Sequence, residues 1–170
     1  GIRSDITLQI GLTFMNIESI FPTENKSMVI LKDALNNLEY DDEEVKTLTE
    51  KFTNTAYWKD TGSKMPINPE KVLTGMDYHH KGHHFNLKRV SLEKPAPTLT
   101  AMGSNDTTAG AFHWNEPRKL TIGELKRIQS LPDDFVLTGK WNQQSERIGR
   151  MVPPLLLKSI QDSVYEYVIK

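Results

Sequence analysis

An α+β fold is what this sequence predicts: a small domain of short strands and loops with several helices, and no doubly wound sheet of its own. Three observations predict it. Apolar residues recur at helical spacing in several separate stretches, short runs of β-forming residues are cut off by prolines and polar turns, and one segment carries a complete helix-start signature.

In chain order, Met28, Leu31, Leu35 and Leu38 predict a helix over 27–38, with Ser27 as its N-cap. Val45, Leu48 and Phe52 predict a second over 42–52, with acids in its first turn where the helix dipole favours them. From Thr53 to Lys81 no period is sustained, and Gly62, Pro66, Pro69 and Gly75 punctuate loops. Short strands are predicted around Phe85, Leu87 and Arg89 to Val90, then from Thr98 to Met102, then from Ala109 to Trp114. Pro95, Pro97 and the polar run 103–108 separate them. Thr121 and Glu124 form a capping box, with Leu120 and Leu125 placed as a hydrophobic staple. Ile122, Leu125 and Ile128 supply that helix's buried stripe, and Pro132 is expected to end it. Pro153-Pro154 suits the start of a last helix, on which Leu156, Ile160, Val164 and Tyr167 share a face.

Composition narrows the chemistry. With 170 residues, 37% of them hydrophobic and 25% charged, the chain has the make-up of an ordinary globular protein. It contains no cysteine, which excludes disulfides, a thiolate nucleophile and Cys-ligated zinc from these residues. No apolar stretch is long enough to cross a bilayer, so no membrane partner is expected and the predicted setting is cytoplasmic. The net charge of −1 conceals a gradient. Residues 1–70 hold 7 Lys/Arg against 12 Asp/Glu, whereas residues 71–130 hold 9 against 5 together with all five histidines. The middle stretch is thus the candidate for a polyanionic partner. The run His79-His80-Lys81-Gly82-His83-His84 could chelate zinc on a helix, but Gly82 argues against a helix and no metal site is expected.

The segment from Arg118-Lys119-Leu120-Thr121 through Glu124, Arg127 and Gln129 to Pro132-Asp133-Asp134-Phe135 resembles a late motif of DNA cytosine-5 methyltransferases, R-x-L-T/H-x-x-E-x-x-R-x-Q-x-x-P-D-x-F. Arg89 and Pro95-Ala96-Pro97-Thr98-Leu99-Thr100 resemble the arginine and P-x-T-L/I-T/S stretch that precede it. Gln144 to Pro154 is similar to the final motif, a glycine-led turn into a C-terminal helix, although Arg150 stands where the family has asparagine. Gly1-Ile2-Arg3-Ser4-Asp5 is similar to the strand end after the family's Q-x-R-x-R motif. The family's early motifs, F-x-G-x-G, Pro-Cys and E-N-V, do not occur in this sequence.

The resemblance implies a division of labour. Carbon-5 of cytosine is methylated from S-adenosylmethionine only after a cysteine thiolate attacks C6, and this chain has no cysteine. It therefore implies a chain that addresses the reaction rather than performs it: inactive alone, and not expected to bind S-adenosylmethionine alone. Residues 1–26 would be a catalytic-domain strand end and linker, 27–148 the target-recognition domain, and 149–170 the final motif and C-terminal helix, which would pack on an α/β catalytic domain. The implied partners are double-stranded DNA and a catalytic lobe on the same or a second polypeptide, with nucleoid association if the source is bacterial. The implied DNA contacts are His83, His84, Asn86, Lys88, Arg89 and Thr98, together with the loop Gly103, Ser104, Asn105, Asp106, Thr107 and Thr108. Gly149, Arg150, Met151 and Val152 would approach the methyl donor, and Arg118 would organise the recognition lobe through hydrogen bonds. Two alternatives stay open: a subunit of a naturally split methyltransferase, and a non-catalytic DNA-binding protein that reuses the lobe.

Overall fold

Two units make up the chain: Ser27–Met151, and a second comprising Gly1–Lys26 with Val152–Lys170. The computed structural model describes residues 28–84, 86–101 and 110–166. The architecture is small α+β, as the sequence predicts, with helices around a three-stranded sheet.

The Ser27–Met151 unit begins with α1 (Leu31–Ala34), far shorter than the helix expected over 27–38. The cause is non-local. The Leu31 and Lys32 amides donate to the carbonyls of Lys94 and Leu92, both at 2.9 Å, and Asn37 turns into the left-handed region at φ 56°. The predicted N-cap, Ser27, lies outside the described residues. Helix α2 (Asp42–Thr53) matches its expectation because its start is locally encoded. The Asp41 carboxylate accepts from the Glu43 and Glu44 amides at 2.9 and 3.2 Å. Helix α3 (Ala56–Asp60), capped by the Thr55 hydroxyl, falls where only loops were expected.

Strand β1 (Leu73–Thr74) also falls in that stretch. It pairs antiparallel with β2 (Lys88–Arg89), Leu73 opposite Arg89, and β2 pairs parallel with β3 (Ala111–Phe112), Arg89 opposite Phe112. The strand expected from Thr98 to Met102 does not form over 98–101, and Met102 lies outside the described residues. Pro95 and Pro97 offer no ladder donors beside it, and its backbone instead lies against Gly149.

Helix α4 (Ile122–Ile128) carries the capping box read from the sequence. The Thr121 hydroxyl accepts from the Glu124 amide at 3.2 Å, and the Glu124 carboxylate accepts from the Thr121 amide at 2.7 Å. It ends before Pro132, in a Schellman turn: Ser130 has φ 57°, and the Leu131 and Ser130 amides donate to the Lys126 and Arg127 carbonyls. Helix α5 (Trp141–Arg150) was not anticipated, although Trp141, Ser145 and Ile148 share one face by their i, i+4, i+7 spacing. Ser145 and Ile148 are buried on it.

Two apolar clusters flank the sheet. Leu31, Leu35, Val90, Leu120, Leu125, Leu131 and Ile148 form one. Phe52, Met65, Leu73, Leu87 and Phe112 form the other. Ala111 packs against the first cluster and its neighbour Phe112 sits in the second, as alternation along a strand requires.

In the second unit the described element is α6 (Pro154–Val164), opened by a proline in its first turn. Leu156, Ile160 and Val164, the predicted apolar face, are exposed, as are Leu155 and Leu157, and Tyr167 lies outside the described residues. Among the described residues, no helix is long and apolar enough to cross a membrane.

Candidate functional site

Strand β2 sets the geometry of the site, because successive residues on a strand face opposite ways. Lys88 is half-buried and lines a cavity of about 540 Å3, together with Asn86, Thr98, Ala101, Tyr57 and Trp141. Arg89 points into the protein instead and is only 5% exposed. Its guanidinium donates to the Trp114 carbonyl at 3.1 Å and the Gly62 carbonyl at 3.4 Å, and lies 4.7 Å from the centre of the Phe112 ring. Burial lowers its pKa without discharging it. The DNA contact implied at Arg89 thus falls on a side chain whose two amino ends donate to backbone carbonyls, tying β2 to Trp114 and Gly62.

The cavity does bring several expected residues together. Asn86 and Thr98 are exposed, and both line it. His83 is exposed, whereas His84 is half-buried with its ring 4.6 Å from that of Tyr57. Gly103, Ser104, Asn105, Asp106, Thr107 and Thr108 lie outside the described residues. Among the described residues no group of three or more His, Asp or Glu side chains is arranged to hold a metal ion.

Behind the cavity wall, Arg118 organises the unit. It is 1% exposed and donates to both Glu124 carboxylate oxygens, at 2.8 and 3.1 Å, to Glu116 at 2.7 Å and to the Lys119 carbonyl at 3.1 Å. Glu124 thus does more than cap α4, which was all that its spacing implied. Glu44, from α2, accepts from the Ile122 amide at 2.8 Å and ties the N-terminus of α4 to α2.

His113 completes this network and was not singled out in the sequence. Its Nδ1 accepts from the amides of Glu116 at 2.9 Å and Asn115 at 3.2 Å, which leaves the ring proton on Nε2, facing Glu124 at 3.6 Å. Burial, reinforced by Arg118 and Arg89, pushes its pKa down to about 2. The imidazole is neutral, so its approach to Glu124 is not an ion pair. A lone histidine just after a short apolar strand carries no pattern that would mark such a role in advance.

Of the residues expected at the methyl donor, Gly149 and Arg150 are engaged within the protein. Gly149 is a residue of α5, not of a turn: a Cβ there would stand 2.7 Å from the Thr100 carbonyl carbon and 2.8 Å from the Ala101 nitrogen. Arg150 pairs with Glu146 at 2.5 Å one helical turn back. Met151 ends α5 and Val152 is exposed.

Comparison with known proteins gives a consistent result. The model of the C-5 cytosine-specific DNA methylase family matches residues 1–166. The type II methyltransferase M.AplI of Arthrospira platensis is 34% identical over 130 residues, which cover 71% of this chain and 38% of that protein. The type II methyltransferase M.BbvI of Brevibacillus brevis is 27% identical over 168 residues, covering 96% of this chain and 42% of that protein. The DNA (cytosine-5-)-methyltransferase M.ApeKI of Aeropyrum pernix is 31% identical over 104 residues, covering 59% of this chain and 22% of that protein. The chain thus spans less than half the length of these relatives. No solved structure matches it significantly.

Proposed function

Because the chain belongs to the C-5 cytosine-specific DNA methylase family, we propose that it supplies target recognition for cytosine C5 methylation, with the reactive thiol carried by a catalytic lobe on the same or a second polypeptide. The observation that carries this is the pairing of a cysteine-free sequence with a cleft that sets polar and cationic side chains on a largely apolar wall: Asn86, Lys88 and Thr98 line one cavity on a unit whose interior is locked by Arg118 and Glu124. An amide side chain can hydrogen-bond an adenine edge, and an ammonium can neutralise a phosphate. A target base must leave the stack for this chemistry, so a separate surface has to hold the duplex while that happens.

In this reading S-adenosylmethionine is held chiefly by the catalytic lobe, since Gly149 and Arg150 are occupied with Thr100, Ala101 and Glu146. The donor supplies the methyl group, and this chain contributes DNA binding and orientation. The apolar row Leu156, Ile160 and Val164 on α6 is the surface offered to the catalytic lobe.

The test is reconstitution. The purified chain, labelled S-adenosylmethionine and duplex DNA are incubated with and without a catalytic lobe from a family member. Methyl transfer only in the presence of both polypeptides is expected. Transfer by this chain unaided, or salt-insensitive DNA binding, would overturn the proposal. A split enzyme is the same reading with the lobes on separate polypeptides. A non-catalytic DNA-binding protein would bind duplex DNA yet never support transfer with any lobe.

A further inference from the structure

The histidine run 79–84 has a role in the fold. Residues 75–87 join β1 to β2, and the connection is closed at its base by the Gly75 amide donating to the Leu87 carbonyl at 2.7 Å. The loop is then fastened from inside. His79 is buried, and its Nδ1 accepts from two amides of its own loop, Lys81 at 3.1 Å and His83 at 3.3 Å. His84 adopts a left-handed conformation at φ 61°, and its Nδ1 stands 2.8 Å from the hydroxyl of fully buried Thr61. Gly75 is held so closely that a Cβ there would meet the His84 carbonyl oxygen at 2.5 Å. Directly after this clamp come Asn86 and Lys88, both on the cleft.

We propose that His79 and His84 are positioning residues for DNA contact: neutral His79 closes the loop on itself, His84 ties it to Thr61, and together they fix where Asn86 and Lys88 stand. The proposal rests on reading the cleft as the DNA-contact surface. An imidazole nitrogen that accepts two amide bonds has no room for a second proton, so protonating His79 costs both bonds and frees the loop. The groups facing it agree in sign with a neutral resting state. Burial first, then His80, His84 and His83, hold the His79 pKa below its ordinary value, with Asp60 as the opposing charge. Burial and His83 act likewise on His84, again against Asp60, while Tyr57 lies against its ring.

The experiment is a titration of the full chain against a mixed-sequence DNA duplex at fixed salt, for the wild type and His79→Asn. The asparagine oxygen sits where Nδ1 was and cannot take up a proton, and every other titrating group is shared. Equal affinities are expected at about pH 8, with the wild type weaker by roughly five-fold or more at about pH 5.5, within the ten-fold per pH unit that one linked proton allows. Superimposed curves, or tighter wild-type binding in acid through direct histidine–phosphate contact, would overturn the proposal. Thr61→Val, which removes the hydroxyl without changing volume, is expected to weaken binding at every pH, and an unchanged affinity would remove His84 from the clamp. Amide hydrogen exchange at Lys81 and His83 needs no DNA. Protection in the wild type and His79→Asn, lost in His79→Ala, is expected, and its absence would refute the clamp itself. If neither protein bound DNA at any pH while those amides stayed protected, the DNA-contact reading would fall and this proposal with it. Normal binding with superimposed pH curves would sink the proposal alone.

Discussion

Arg118 and Glu124 meet through two parallel hydrogen bonds of 2.8 and 3.1 Å with both side chains out of contact with water. A carboxylate so placed is satisfied three ways at once: by the guanidinium, by the Thr121 amide at 2.7 Å, and by its position in the first turn of α4. Removing one partner leaves the other buried and uncompensated. Arg118→Ala is therefore expected to cost about 3–5 kcal/mol, read as a fall in the urea midpoint. Glu124→Gln keeps an acceptor for the cap but loses the charge, and should cost about 1–3 kcal/mol. A midpoint unmoved in both variants would show that the pair organises nothing.

His113 gives the stability a pH dependence of known sign. Its pKa in the folded protein, about 2, lies below its ordinary value of 6.5, so the unfolded chain binds the proton first. The stabilisation is complete above about pH 6.5 and is lost as pH falls, at up to about 1.4 kcal/mol per pH unit. Glu44 works the other way, since burial raises its pKa above the ordinary 4.5 and the folded state takes up its proton first. His79 and His84 have the same sign as His113, so the comparison needed is with His113→Asn. That comparison starts at about pH 6.5 and runs downward, with Glu44 common to both proteins. The variant's urea midpoint should fall less steeply over that range than the wild type's, and parallel slopes would rule out His113 as the titrating group.

Gly149 sets two effects against each other. Alanine in place of a helical glycine gains up to about 1 kcal/mol of helix propensity. Here the new methyl would stand 2.7 to 2.9 Å from backbone atoms of Thr100 and Ala101, which cannot yield as a flexible side chain would. Overpacking of that kind costs about 1–3 kcal/mol, so Gly149→Ala should be destabilised on balance. Gly123→Ala, in α4, is the contrast: its nearest neighbour is the Leu38 side chain at 3.3 Å, which can move. A thermal melt in which Gly149→Ala equals or exceeds Gly123→Ala would show that α5 does not press on that backbone.

What was legible in the sequence was what is locally encoded. The Thr121–Glu124 box, the Leu120 and Leu125 staple and the acids opening α2 act within a few residues, and each stands in the structure as read. Helix α1 was overestimated because the Leu31 and Lys32 amides bond to carbonyls sixty or more positions away, which no local period reveals. Charge misled for a related reason. Of the nine basic residues in the positive stretch, Arg89, Arg118 and Lys119 are buried, so composition overstated the charge available to a polyanion. The loop clamp was invisible because a histidine run looks the same whether it binds metal, faces solvent or caps its own backbone.

Lys88 and Arg89 are adjacent in sequence and opposite in consequence, which separates DNA contact from architecture in one pair of variants. Lys88 lines the cleft on the outer side of β2, so Lys88→Ala removes a cation from the proposed DNA face while leaving the core alone. Its urea midpoint should stay within about 0.5 kcal/mol of the wild type. The slope of log affinity against log salt should shrink by about one unit, the signature of one lost phosphate contact. Arg89→Ala should do the reverse. It strands the Trp114 and Gly62 carbonyls and opens a void beside Phe112, at a cost of about 2–4 kcal/mol. Any loss of DNA affinity in that variant would follow from unfolding, and would disappear at a temperature low enough to keep it native. An Arg89→Ala protein that melted like the wild type yet bound DNA poorly would exchange the two assignments, and would mean that the guanidinium turns outward when the duplex arrives.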